Sequence, residues 1–150
     1  MRFLRGAYLL AAVLVAVVAP LPLTAGPLED AQAAYAKGDY ATALRLWRDL
    51  AEHGDASAQV NLGIMYLSGR GGLPQDDRQA VELFRKSADQ GNALGQVYLG
   101  NALADGRGGL PQDDRQAVEL LRKSVDQGNG RAQNSLGYMY LSRQSRNQTG

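Results

Sequence analysis

Residues 69–83 read GRGGLPQDDRQAVEL, and residues 106–120 read the same fifteen letters again. The identity runs on through Asn92 and Asn129, broken only where Phe84 aligns with Leu121 and Ala88 with Val125. The offset is 37 residues. Self-similarity at a fixed period of that size marks a stacked array, in which each unit buries its apolar face only against its neighbours.

Working outward from the repeated string, helical periodicity fills the period. Ala43, Leu46, Trp47 and Leu50 fall on one face of a helix over about residues 40–53. One period on, Ala80, Leu83 and Phe84 take these places, and then Ala117, Leu120 and Leu121. Gly54, Gly91 and Gly128 close these helices, as the residue that tolerates a left-handed end. A second helix follows over about residues 56–67, with Asp55 as its cap. Within it Leu62, Leu99 and Leu136 align, each followed by a glycine: Gly63, Gly100 and Gly137. A mid-helix glycine costs about 1 kcal/mol against alanine. Three in register therefore predict close approach of a neighbouring helix, and alanine at Gly100 is expected to overpack and cost about 1–3 kcal/mol. A shorter alanine-rich helix over residues 28–37 precedes the array. Gly69, Gly71, Gly72 and Pro74, with their copies, make the connection an irregular turn. Asp76 with Gln79, and Asp113 with Gln116, predict reciprocal capping boxes. About seven helices result, all-α, as stacked helical hairpins.

The order Ala-Gln-x-x-Leu-Gly-x-x-Tyr-x-x-Gly-x-Gly over residues 58–71 resembles the Sel1-like repeat, as does Ala-x-x-Leu-Phe-x-Lys-x-Ala-x-x-Gly over residues 80–91. The resemblance covers roughly residues 28–142. It implies a right-handed α-solenoid, related to tetratricopeptide arrays, that serves as a protein-binding scaffold. Gly95 departs from the usual alanine, Leu103 from the usual tyrosine, and the inter-helix turn is one residue longer than the common form. Arg143 stands where a closing glycine is expected, which predicts a truncated third unit and a polar tail over residues 143–150. The array proper is residues 26–142.

The first 25 residues have a different character. Arg2 and Arg5 precede an apolar run over residues 7–19, which Pro20 and Pro22 end, and small residues lead to Ala25. That order is a secretory signal peptide. Its loss removes two of the 16 basic residues and none of the 15 acidic ones, so the mature chain carries a net charge of −1. The expected location is periplasmic or secreted. If the segment stays attached, the protein is anchored in the inner membrane.

Chemistry is sparse. Without cysteine the chain has no disulfide, thiolate metal site or thiol nucleophile. Its nearly balanced charge lacks the basic field of a nucleic-acid binder. The glycine-rich turns fit neither phosphate-loop pattern and follow no strand. No Ser-x-x-Lys, Gly-x-Ser-x-Gly or His-Glu-x-x-His occurs. Asp76-Asp77 and Asp113-Asp114 suit helix starts, and His53, the single histidine, suits a helix C-terminus. No catalytic, metal or cofactor residue is therefore expected.

Two candidate surfaces remain. Arg78, Glu82 and Arg85 form a mixed-charge row that recurs as Arg115, Glu119 and Arg122; such rows read either as a solvated helix face or, in the sharper reading, as lying across the concave surface that solenoids present to partners. At the end of the array, Asn134, Tyr138 and Leu141 continue the positions of Val60, Ile64 and Leu67, which a following hairpin covers. Tyr138 and Leu141 are expected to stay exposed and to mediate weak self-association or partner docking. The function expected is an exported, non-catalytic protein–protein interaction module whose partner is a protein of unspecified identity. The rivals are an envelope enzyme or binding protein handling peptidoglycan or β-lactams, and a membrane-anchored regulator.

Overall fold

A computed structural model describes residues 26–148, so the leader lies outside the described residues. Seven helices follow in order: α1 Pro27–Ala36, α2 Tyr40–Glu52, α3 Ala56–Ser68, α4 Asp77–Asp89, α5 Ala93–Asp105, α6 Asp114–Asp126 and α7 Gly130–Gln148. A single 3-10 turn, Arg70–Gly72, bridges α3 and α4, and there is no strand among the described residues. Each helix packs on the next in sequence, which builds the expected stack of hairpins.

Local chemistry sets the boundaries. Asp39, Asp55, Asp76, Asn92 and Asp113 each accept a backbone N–H of the first turn they precede. The hydrogen bonds from Thr42, side chain first and then backbone, hold the Asp39 carboxyl below its ordinary value. A carboxyl lowered in the folded state stabilises above its unfolded pKa, and that contribution fades as acid protonates it. The capping boxes are only half made. The Asp76 N–H does not receive Gln79; it donates to the Tyr66 carbonyl at 3.0 Å, and Asp113 does the same to Leu103 at 2.9 Å. Those bonds tie each long connection back to the helix it left, so the glutamine is not needed.

The core consists of three clusters along the stack, bridged by the half-buried Tyr66 and Met139. Ala31, Ala43, Trp47, Ala58 and Leu62 fill the N-terminal part. Val60, Ala80, Phe84, Leu99 and Ala117 fill the middle, and Val97, Leu121 and Ala132 the last part. Gly63 is where Phe84 enters: a β-carbon there would lie 2.5 Å from the ring. At Gly100 the nearest atom, Leu121 Cγ, is 3.1 Å away, and at Gly137 no described atom lies within 4 Å. Close approach therefore explains Gly63 strongly, Gly100 moderately and Gly137 not at all. Gly95 is also a packing position, since a β-carbon would meet Ser87 Oγ at 2.6 Å and Ala88 N at 2.7 Å.

Residues 142–148 of the polar stretch continue α7 as helix. α3 and α5 stop at Gly69 and Gly106, both left-handed at φ 63°. Arg143 replaces that glycine, and an L side chain disfavours the left-handed turn. The helix consequently runs on, so α7 has 19 residues against 13 in α3 and α5.

Candidate functional site

The curvature of the stack decides which surface is concave. α3 touches α5 and α5 touches α7, whereas α2, α4 and α6 make no comparable contacts with one another. Helices that meet their equivalents line the inside of a curved array, and those splayed apart form the outside. The inner layer is therefore α3, α5 and α7.

A groove of about 670 Å³ opens on this inner side. Its walls are Tyr98, Asn101 and Asp105 of α5 and Ser135, Tyr138 and Ser142 of α7. These are the same three positions one period apart, so the groove is a product of the repeat itself. Val81 and Phe84 of α4 reach its floor, and Arg107, Gln112 and Asp114 border it from the α5–α6 side.

The two tyrosines differ. Tyr98 is held: its ring stacks on Phe84 at 4.8 Å between centroids, and its hydroxyl accepts from Arg131 at 3.2 Å. Tyr138 is 73% exposed. Arg107 pairs with Asp105 at 3.6 Å across the rim. Amides, hydroxyls and aromatic faces thus converge in one opening, a chemistry suited to peptide groups and side chains of a bound chain. No group of three or more His, Cys, Asp or Glu among the described residues could hold a metal ion. None of the described helices is long and apolar enough to cross a membrane.

The candidate residues read from sequence divide between surfaces. Arg78, Glu82 and Arg85 lie exposed on α4, and Arg115, Glu119 and Arg122 on α6. Both helices belong to the outer layer, so the rows do not cross the concave face as the sharper reading has it. Amphipathic spacing separates exposed from buried positions, but it does not say toward which side of a curved stack an exposed position points. On that outer layer Glu82 pairs with Lys86 at 3.3 Å and Glu119 with Lys123 at 3.0 Å. Such exposed i,i+4 pairs contribute about 0.2–0.5 kcal/mol each. Arg122 donates to the Tyr140 hydroxyl at 3.3 Å, which ties α6 to α7. Tyr138 does reach the groove, and Leu141 beside it is 68% exposed.

Sequence reading missed a polar ladder inside the stack. Ser87 and Ser124, both fully buried, donate to the Ala56 and Ala93 carbonyls at 2.8 Å each. Gln90 and Gln127 donate to the side chains of Gln59 and Gln96 at 2.8 and 2.9 Å. Only Gln59 and Gln96 carried a signal, because they recur in a helix most of whose other positions have diverged; Ser87 and Gln90 lie in a stretch whose exposed residues are copied just as faithfully.

Comparison with known proteins follows the same division of the chain. The Sel1 repeat model matches residues 56–92, 93–129 and 130–148, so units begin at α3, α5 and α7, and the third holds α7 alone. A protective antigen present in uropathogenic Escherichia coli strains, displaying an SLR fold, is 36% identical with a TM-score of 0.62, over 73% of this chain and 26% of that one. A Sel1 repeat protein from Oxalobacter formigenes is 24% identical with a TM-score of 0.68, over 77% and 46%. Cysteine-rich protein B of Helicobacter pylori is 17% identical with a TM-score of 0.57, over 74% and 97%. The latter two similarities show the shared fold. The chain spans about a quarter of the first of these proteins and under half of the second. No curated protein matches the sequence.

Proposed function

The chain belongs to the Sel1 repeat family, and on that premise we propose that it is an exported, non-catalytic binding module that holds an extended segment of a partner protein in its concave groove. Sel1 repeat proteins are in general protein-interaction modules. The observation that carries the finer reading is the groove's construction: Tyr98, Asn101 and Asp105 repeat as Ser135, Tyr138 and Ser142, giving two parallel rows of hydrogen-bonding groups in a cleft. An extended chain presents its own polar groups at regular intervals and suits such rows.

Photocrosslinking in the native host tests this reading. Benzoylphenylalanine at Asn101 or at Asp105 should form a covalent adduct with a discrete protein, while the same residue at Arg78 or Arg115 on the outer layer should not. Adducts from the outer positions alone would move the site to the charged rows and sink the groove assignment.

Export rests on the basic, apolar and small-residue order of residues 1–25. Intact-mass measurement on protein from the native host is expected to give a chain beginning at Gly26. A chain still beginning at Met1 would favour the anchored form.

A further inference from the structure

α3 and α5 each present one face to the helix that follows, and the residues of that face recur on α7. In α3, Gly63 receives Phe84, the Ala56 carbonyl accepts from Ser87, and Gln59 accepts from Gln90. In α5, Gly100 receives Leu121, the Ala93 carbonyl accepts from Ser124, and Gln96 accepts from Gln127. One period further along, the corresponding positions are Gly130, Gln133 and Gly137.

On α7 no described residue packs into the glycine notch of this face. Gln59 and Gln96 are buried, whereas Gln133 is exposed, as is Gly137. Leu103 of α5 is 4% exposed, and its counterpart Tyr140 is 51% exposed. A glycine in mid-helix weakens the helix, and on α7 nothing in the described structure packs into the notch it leaves.

We propose that the Gln133–Gly137–Tyr140 face of α7 docks one amphipathic helix of a partner protein, in the manner in which α4 docks on α3 and α6 on α5. The structure itself specifies the occupant's chemistry. Both docked helices carry alanine, a bulky apolar residue four positions on, serine at seven and glutamine at ten: Ala80, Phe84, Ser87, Gln90 and Ala117, Leu121, Ser124, Gln127. The bulky residue fills the glycine notch, the serine donates to the Gly130 carbonyl, and the glutamine donates to Gln133. The docked helix extends an interface that the array has already formed twice. This inference rests on the reading of the array as a protein-binding module, but it uses a surface distinct from the groove.

The test uses a fluorescein-labelled peptide of residues 113–129, bridged by a lactam between Glu119 and Lys123. The bridge preorganises the helix, which a free peptide of this length would not hold in water. Titrated with the purified chain, its anisotropy should saturate. Gly137→Ala in the chain, or Leu121→Asp in the peptide, should weaken binding about tenfold or more. Gly137→Ala meets open space, so it leaves the fold intact. Absence of saturation overturns the proposal. So does sensitivity to Gly100→Ala instead of Gly137→Ala, which would mean that the peptide displaces the chain's own α6. Light scattering of the chain alone covers one more outcome: self-association abolished by Gly137→Ala would assign the face to a second copy. Crosslinking from Asn101 should persist in the Gly137→Ala chain, so failure here leaves the groove reading standing.

Discussion

Alanine at Gly108 is expected to cost about 2–5 kcal/mol of folding stability, while alanine at its neighbour Gly109 should cost only about 1–2 kcal/mol. Both glycines have left-handed backbones, with φ of 66° and 81°, so both substitutions incur the steric penalty of a β-carbon there. They differ in surroundings. A β-carbon on Gly108 would stand 2.6 Å from Val81 Cγ2 and 2.7 Å from the Asp77 carbonyl oxygen, whereas on Gly109 the nearest atom is Arg78 Nε at 3.5 Å. Asp77 and Val81 lie one turn apart at the start of α4, so the α5–α6 connection sits directly on the preceding unit. A backbone oxygen cannot swing aside as a side-chain tip can. Urea titration of the two variants separates strain from crowding, and equal losses would remove the crowding account. Because domains of this size are stable by only about 5–15 kcal/mol, the Gly108 variant should be near its unfolding threshold at physiological temperature.

The second large effect has opposite signs at equivalent positions. Gly63→Ala should destabilise by up to about 2 kcal/mol, because overpacking of about 1–3 kcal/mol is only partly offset by a propensity gain of about 1 kcal/mol. Gly137→Ala should stabilise by about 1 kcal/mol, since propensity acts there unopposed. Gly100→Ala should fall between them, smaller in effect than sequence alone suggests, because Leu121 Cγ is 3.1 Å from the added carbon and its branched chain can yield. The ring of Phe84, buried and stacked on Tyr98, has less room. Phe84→Leu converts the first site into a version of the second, so in that background Gly63→Ala should cost less than in the natural sequence. A double-mutant cycle in urea reads the coupling directly. Additive losses would show that Phe84 is not what Gly63 accommodates.

Much of this molecule is legible in its sequence, because the relevant physics is local. The 37-residue period, the aspartate and asparagine caps and the left-handed glycines at 54, 91 and 128 act within one or two helical turns. The apolar stripe of Ala43, Leu46 and Trp47 likewise needs only helical geometry to be read as a buried face. Other features required the assembled stack. Gln79 and Asp76 have the spacing of a capping box, yet the Asp76 N–H had a competing acceptor in Tyr66, ten residues back across a connection whose path the spacing does not reveal. Gly63, Gly100 and Gly137 look alike in sequence, and only the presence or absence of a bulky neighbour distinguishes them.

The candidate site shows the same boundary. Tyr138 and Leu141 could be read as exposed because their counterparts Ile64 and Leu67 are apolar where a neighbour covers them. The rows of Arg78, Glu82 and Arg85 and of Arg115, Glu119 and Arg122 could be read as solvent-facing, and they are. Their placement on the outer layer, and the placement of Asn101 and Asp105 in the groove, depend on which helices meet their equivalents one unit away. Periodicity within a helix sets what is buried. The concave side is set by the small rotation between successive hairpins, which arises from side-chain packing summed across the interface and has no local signature in the chain.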